Sequence, residues 1–192
     1  MDPLDSRTLY TGLVATVALM RLAELALSRR NIARLFERGA VEVGQSLYPW
    51  MVAVHTAFLG SCVAEVWLMD RPLIPGLAAV MLVVLSVAAA LRWWVISALG
   101  KRWSTRVVFV PGDTPVTAGP FRWFRHPNYL AVILEFAALP LVHTAWLTAV
   151  IFSIVNGVVL ALRVRTEEVA LAEESDYLRV MCDRPRFHPR WK

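Results

Sequence analysis

Apolar residues fall into five long runs along this chain, and the polar residues gather between them. The runs extend from about Thr8 to Leu27, Tyr48 to Met69, Leu73 to Leu99, Pro127 to Val142 and Ala145 to Leu162. A run of roughly 20 apolar residues wound as a helix matches the hydrocarbon thickness of a bilayer. The pattern therefore predicts an all-α polytopic integral membrane protein of about five transmembrane helices. It is read as a single domain over residues 1–192, with three spans in 1–99 and a loop, a helical hairpin and a polar tail in 100–192. The last two runs are separated only by Leu141-Val142-His143-Thr144 after Pro140, which predicts a tight hairpin. The fourth run is short and is expected to tilt or to be partly immersed.

Composition agrees with the pattern. Hydrophobic residues make up 57% of the chain and charged residues 18%, and the mean hydropathy is +0.53. A soluble domain sits nearer about 45–50% apolar. The net charge of +5 does not indicate nucleic acid, because the basic residues flank the apolar runs, where lipid headgroups anchor them. Arg29, Arg30, Arg34 and Arg38 lie between the first two runs. Lys101, Arg102, Arg106, Arg122 and Arg125 lie between the third and fourth. Arg163, Arg165, Arg179, Arg184, Arg186, Arg190 and Lys192 follow the fifth, whereas the other side carries only Arg7 and Arg71. This asymmetry predicts an N-terminus outside and both basic loops and the tail in the cytoplasm, in a bacterial plasma membrane. The acidic start, Met1 to Asp5, lacks the basic region of a cleavable signal. Cys62 lies in an apolar run and Cys182 in the tail, so neither a disulfide framework nor a metal site is expected.

Several ionisable residues interrupt the apolar runs, each at an insertion cost of about 2.5–3.5 kcal/mol when placed mid-bilayer. Arg21 and Glu24 are three apart and can pair on one helix face. Glu65 lies near Arg71. Arg92 either snorkels to the interface or contacts a ligand. His55 is either a polar helix contact or part of an acceptor pocket. Glu135, eight residues into the fourth run, either belongs to an active site or forms an interhelical pair with Arg92 or another cation.

Two polar constellations remain. Residues 119–129 read Gly-Pro-Phe-Arg-Trp-Phe-Arg-His-Pro-Asn-Tyr, too polar for a bilayer core and too aromatic for a plain linker, so they are read as a binding loop at a membrane surface. After the fifth run comes Arg163-Val-Arg-Thr-Glu167-Glu168. If the helix continues, Arg163 and Glu167 share a face at i,i+4, unless this is only a charged turn leaving the membrane. Topology brings both constellations to the same side.

Together, Gly119-Pro120-Phe121, Arg125-His126-Pro127-Asn128-Tyr129 and Arg163 with Glu167-Glu168 resemble the signature of the isoprenylcysteine carboxyl methyltransferase family. These are membrane enzymes that use S-adenosylmethionine and are distantly related to phospholipid N-methyltransferases. The resemblance covers roughly Leu99 to Tyr177. It implies that Gly119, Pro120, Phe121, Arg125, His126, Asn128, Tyr129 and Glu168 bind S-adenosylmethionine in a cytoplasmic pocket. It also implies that Arg163 and Glu167 are catalytic, where the acceptor meets the methyl group. Phe121 stands where the family often has tyrosine. Glu135, Arg92 and His55 are the candidates for acceptor contact, and Trp123 or Phe124 is either a cation–π partner for the sulfonium or part of an interfacial belt.

Tyr48-Pro49, Leu91-Arg92-Trp93-Trp94, Arg102 to Val108 and Gly119-Pro120-Phe121-Arg122-Trp123 are similar to a bacterial branch associated with type III polyketide synthases. That similarity implies O-methylation of a long-chain alkylresorcinol or alkylpyrone that reaches the site from the bilayer, with a polyketide synthase as functional partner. The alternatives are carboxyl methylation of an isoprenylcysteine-type acid, phospholipid N-methylation and, from another class, a small transporter. The lack of an inverted repeat counts against the last.

Overall fold

The computed structural model describes residues 3–174 and 176–187; Arg190 and Lys192, expected in the basic tail, lie outside the described residues. The element order is α1 (Pro3–Glu37), β1 (Val41–Val43), α2 (Tyr48–Leu68), α3 (Pro75–Leu99), β2 (Val107–Phe109), α4 (Pro127–Leu141), α5 (Trp146–Glu174) and α6 (Tyr177–Met181). Helices α1, α2, α3 and α5 are each long and apolar enough to cross a membrane. Helix α4, with 15 residues, rises only about 22 Å, short of a hydrocarbon core of about 30 Å. So four of the five runs have full spanning length, and the fourth is short, in keeping with its sequence.

Helix boundaries follow local chemistry. Helices α2, α3 and α4 each carry proline in the first turn, where its fixed φ suits a helix and its missing N–H costs nothing. Helix α3 stops at Gly100, with φ 52°. Helix α1 runs well past Leu27, and α5 continues past Leu162 through the charged turn to Glu174. The sequence did not foretell the antiparallel ribbon of β1 and β2, paired Val41 with Phe109 and Val43 with Val107. Three-residue strands are too short to show alternation.

The main core lies between α1, α2, α4 and α5, where Phe58 stacks on Phe136 with ring centres 4.0 Å apart. Helix α4 packs most extensively along α3 and α5. Large apolar side chains such as Leu19, Val83, Ile154 and Val158 face outward, as lipid contact requires.

Four of the membrane-level charges meet. Arg92 on α3 lies 3.0 Å from Glu135 on α4 and 3.6 Å from Glu24 on α1; Arg21 lies 2.7 Å from Glu24 and 3.6 Å from Glu135. This quartet has no net charge when ionised and ties three helices together. Glu65 accepts the backbone N–H groups of Leu147 (3.1 Å) and Thr148 (2.7 Å) at the start of α5 while pairing with Arg71 at 2.7 Å. A carboxylate there also answers the positive end of the helix dipole.

The bundle has two chemically distinct ends. At one, Arg7 pairs with Asp70 and His143 meets Ser6. At the other lie the C-terminal ends of α1, α3 and α5, the ribbon and the start of α4. There Asn31 donates to the carbonyls of Gly100 and Trp103, and Ser28 accepts the N–H of Thr105. The basic loops gather at this second end.

Candidate active site

The second end encloses a cavity of about 200 Å³. Its walls come from the end of α3 (Val95, Leu99), the segment from Arg102 through β2 to Val116, the loop before α4, the inner face of α5 (Arg163, Glu167, Leu171) and α6 (Tyr177, Met181).

The His126-Pro127 step organises the loop. Proline at the first position starts α4, and its ring bars the preceding residue from helical geometry; His126 takes φ −126° and ψ 59°. The backbone N–H groups of Arg125 and His126 are thereby free to donate to the carbonyls of Pro185 (2.9 Å) and Arg186 (3.3 Å). The tail returns here after α6 and is strapped to the loop, with Arg184 donating to the Phe121 carbonyl at 2.7 Å.

Glu168 holds this region from α5. It lies 3.0 Å from His126 Nε2 and 3.2 Å from Arg125, and it binds Arg186 through both carboxylate oxygens. That bond raises the Arg186 pKa above the usual arginine value. Burial pushes the Tyr177 phenol up, so it stays a neutral hydroxyl at physiological pH.

One turn earlier on α5, buried Arg163 makes a fan of contacts. Its Nε donates to Tyr129 Oη at 2.8 Å, Nη2 to the Thr105 carbonyl at 2.6 Å, and Nη1 to the Met51 sulfur at 2.8 Å. Tyr129 in turn donates to the Glu167 carboxylate. The expected pair is thus bridged by a phenol from another helix. Tyr129 stacks on His126 at 5.3 Å between ring centres, which fixes its direction.

The structure sorts the sequence candidates into three groups. Phe121, Arg125, His126, Asn128, Tyr129, Arg163 and Glu167 line the cavity. Gly119, Pro120 and Glu168 stand behind it. Gly119 has φ 59°, and a Cβ there would lie 2.9 Å from the Ala98 side chain; with buried Pro120 it shapes the turn. Glu135 and Arg92 lie away from the cavity in the charged quartet. His55 sits edge-on to Phe136 at 4.9 Å, also outside the cavity, with Nδ1 2.8 Å from the Met51 carbonyl. Trp123 is exposed and packs edge-on against Trp94 at 5.5 Å, at the position of a belt residue.

The ribbon segment and α6 were missed as cavity walls. The only sequence signal was the Arg102–Val108 stretch, noted for its branch similarity; Tyr177 and Met181 in a polar tail carried none.

Among the described residues, four buried polar atoms on the cavity residues have no hydrogen-bond partner: Asn128 Oδ1, Arg125 Nε, Trp103 Nε1 and Tyr177 Oη. Buried polar groups are normally hydrogen-bonded, so these fit a polar ligand. Arginines, a carboxamide, aromatic rings and aliphatic Val95 and Leu99 together suit an amino acid fused to a nucleoside, as in S-adenosylmethionine.

A family model described as the isoprenylcysteine carboxyl methyltransferase (ICMT) family matches residues 79–173, a range that contains the loop, Arg163, Glu167 and Glu168. The chain is 40% identical over 163 residues to the uncharacterized protein YpbQ of Bacillus subtilis, covering 85% of this chain and 96% of that protein. It is 26% identical over 159 residues to an uncharacterized protein of Haemophilus influenzae, covering 82% and 92%.

Proposed function

From the premise that the chain belongs to the isoprenylcysteine carboxyl methyltransferase family, a family of S-adenosylmethionine-dependent methyltransferases, we propose an O-methyltransferase for an acidic oxygen on a lipophilic acceptor. The observation that carries this reading is the chain of contacts from Arg163 through Tyr129 to Glu167 on the wall of the cavity.

When bound, S-adenosylmethionine supplies an electrophilic methyl group. Arg102 or Arg125 would meet its carboxylate, the Asn128 carbonyl oxygen its amine, and Val95, Leu99 and Phe121 its base. His126 keeps the loop and α5 together through Glu168. Arg163 directs a positive charge at the acceptor oxygen, and Glu167 orients that oxygen or takes its proton. Arg163 and Glu167 would hold the acceptor oxygen for transfer, in which an oxygen–carbon bond would form as the carbon–sulfur bond broke, leaving the electron pair on sulfur. Because this displacement is in-line, the protein's main work is alignment and exclusion of water.

The family description favours a carboxylate of the isoprenylcysteine type as acceptor, ahead of the alkylresorcinol or alkylpyrone hydroxyl expected from the branch similarity. The two relatives are uncharacterized and add nothing in favour of that branch, and the polyketide-synthase partnership loses its support with it. The gathering of basic residues at the site end supports an orientation with the cavity in the cytoplasm and the N-terminus outside.

The test supplies purified protein with methyl-labelled S-adenosylmethionine and, separately, N-acetyl-S-farnesylcysteine, a long-chain alkylresorcinol and phosphatidylethanolamine. Label is expected on the carboxylate. Label on the phenol alone would select the branch reading, and label on the amine alone would overturn O-methylation.

A further inference from the structure

The charged quartet takes no part in the cavity, and net stability is a poor reason for it. Apolar side chains of similar volume often hold buried positions as well as an ion pair does, and the best-attested use of buried charge is to fix the register of packed helices. The contacts of the quartet close a ring. Oε2 of Glu135 faces both Arg92 and Arg21, and Oε2 of Glu24 faces the same two arginines. Sliding α4 by one turn, about 5.4 Å, or turning Glu135 off this face would break both of its links.

Helix α4 is the element such a ring would govern. It carries Tyr129 in its first turn, and Glu135 is its one charged residue. The two are six residues apart, or about 240° around the helix, so they reach different neighbours. Tyr129 meets Arg163 and Glu167 on α5, whereas Glu135 meets Arg92 on α3 and Arg21 on α1. Apart from these two, the buried residues of α4 are apolar, and apolar attraction has no direction. At the entry of α4, His126 and Tyr129 both lean on α5; Glu135 supplies the opposing hold. Arg92 stands one turn from Val95 and two from Leu99, which line the cavity. The ring thus relates the rotation of the helix bearing Tyr129 to the wall built by α3. The Tyr129 hydroxyl lies roughly 6 Å from the helix axis, so a turn of about 20° would carry it about 2 Å. That is enough to part it from Arg163 Nε, which donates to it at 2.8 Å.

We propose that Glu135 and Arg92 are positioning residues for methyl transfer. They set the rotation and depth of α4 and, through it, the direction in which the Tyr129 hydroxyl meets Arg163 and Glu167. The proposal rests on the methyltransferase reading. Neither side chain touches the cavity, so their influence passes through Tyr129 and falls on turnover more than on cofactor binding. Replacing both by leucine leaves the neutral pair of Arg21 with Glu24 at 2.7 Å, and it removes the directional hold while keeping the helices packed.

The test separates stability from turnover. Wild type, R92L/E135L, Y129F and the triple variant are compared for unfolding midpoint in detergent, S-adenosylmethionine affinity, and kcat and KM with the acceptor that takes label, N-acetyl-S-farnesylcysteine in the first instance. R92L/E135L should keep most of the wild-type midpoint and cofactor affinity while kcat falls at least about ten-fold and KM changes less than about three-fold. Y129F should cost about ten-fold or more in wild type and under about three-fold after R92L/E135L, because the two changes act through one group. A readout free of the acceptor is 3-fluorotyrosine in place of Tyr129: its fluorine resonance should be single in wild type and split or broadened in R92L/E135L. Removing the ion pair at the other end of the bundle, R7L/D70L, should alter none of these. Wild-type kcat in R92L/E135L, losses that simply multiply, or an unchanged fluorine resonance would overturn the proposal. If R92L/E135L failed to fold, E135Q and Y129F/E135Q would run the same cycle. Failure of wild type to bind S-adenosylmethionine would sink the methyltransferase reading itself, and the fluorine resonance would still decide whether the quartet orients Tyr129.

Discussion

Replacing Glu167 by glutamine separates the two kinds of acceptor. The substitution keeps shape and removes one negative charge. Tyr129 can still donate to the amide oxygen, and Arg163 keeps its bonds to Tyr129 at 2.8 Å and to Thr105 at 2.6 Å, so the scaffold should stay in place. What disappears is the capacity to take a proton. A hydroxyl acceptor must lose one during transfer, and a positioned base contributes about 10²–10⁴-fold, or roughly 2.7–5.5 kcal/mol of barrier. A carboxylate acceptor arrives already ionised and needs only orientation. With it the loss should stay within about ten-fold, near 1.4 kcal/mol. The assay follows label transfer to N-acetyl-S-farnesylcysteine and to an alkylresorcinol at saturating S-adenosylmethionine, with cofactor affinity measured in parallel. If E167Q methylated the alkylresorcinol at the wild-type rate while binding the cofactor normally, the proton-accepting role of Glu167 would be refuted. A carboxylate rate that fell a thousand-fold would refute the division between acceptors.

Removing Arg92 alone leaves Glu135 and Glu24 short of a partner among buried residues. R92L should cost about 3–5 kcal/mol, read as a lowered unfolding midpoint in detergent, and the double variant R92L/E135L should regain much of that loss. G119A forces a left-handed φ on a residue with a side chain and sets its methyl against Ala98 and Trp94, so about 1–2 kcal/mol of destabilisation is expected; A98G added to it should relieve the Ala98 contact alone, leaving the Trp94 contact and the backbone term. Arg163→Lys keeps the charge but cannot reach Tyr129, Thr105 and Met51 together, so turnover should fall by about 10²-fold or more with cofactor affinity little changed; wild-type turnover would show that the fan of contacts is dispensable. Arg186 is about half exposed, so R186Q should cost within about 1 kcal/mol of stability; a larger loss would mean that the tail strap carries more of the fold than its exposed ion pair suggests.

What could be read from the sequence divides along the range of each interaction. The long apolar runs and the one-sided distribution of arginine were legible because span length and interface chemistry are local properties. Arg21 with Glu24 was legible as an i,i+3 pair, and Arg163 with Glu167 as an i,i+4 pair. Their completion was not. Tyr129 enters between Arg163 and Glu167 from 34 residues away, and the pairing of Arg92 with Glu135, one of two expectations for those residues, becomes a quartet only because α1 packs beside α3 and α4. Spacing cannot express a meeting of three helices. The ribbon was hidden for a different reason: Val41–Val43 and Val107–Phe109 gain their hydrogen bonds from each other, with no periodic signal in either.

The shortness of α4 has a consequence for the surrounding lipid. A helix of about 22 Å, largely buried between neighbours of full length, leaves a deficit that water can fill from the Pro127 end. The cavity opens at that end, so the reacting atoms would lie below the average headgroup plane, in a dimple of the protein's own making. An amphiphile could then keep its tail among the acyl chains while its polar end met a water-soluble donor, with neither molecule leaving its preferred medium. Activity in vesicles should accordingly depend on acyl-chain length, falling as thicker bilayers make the dimple costlier to form.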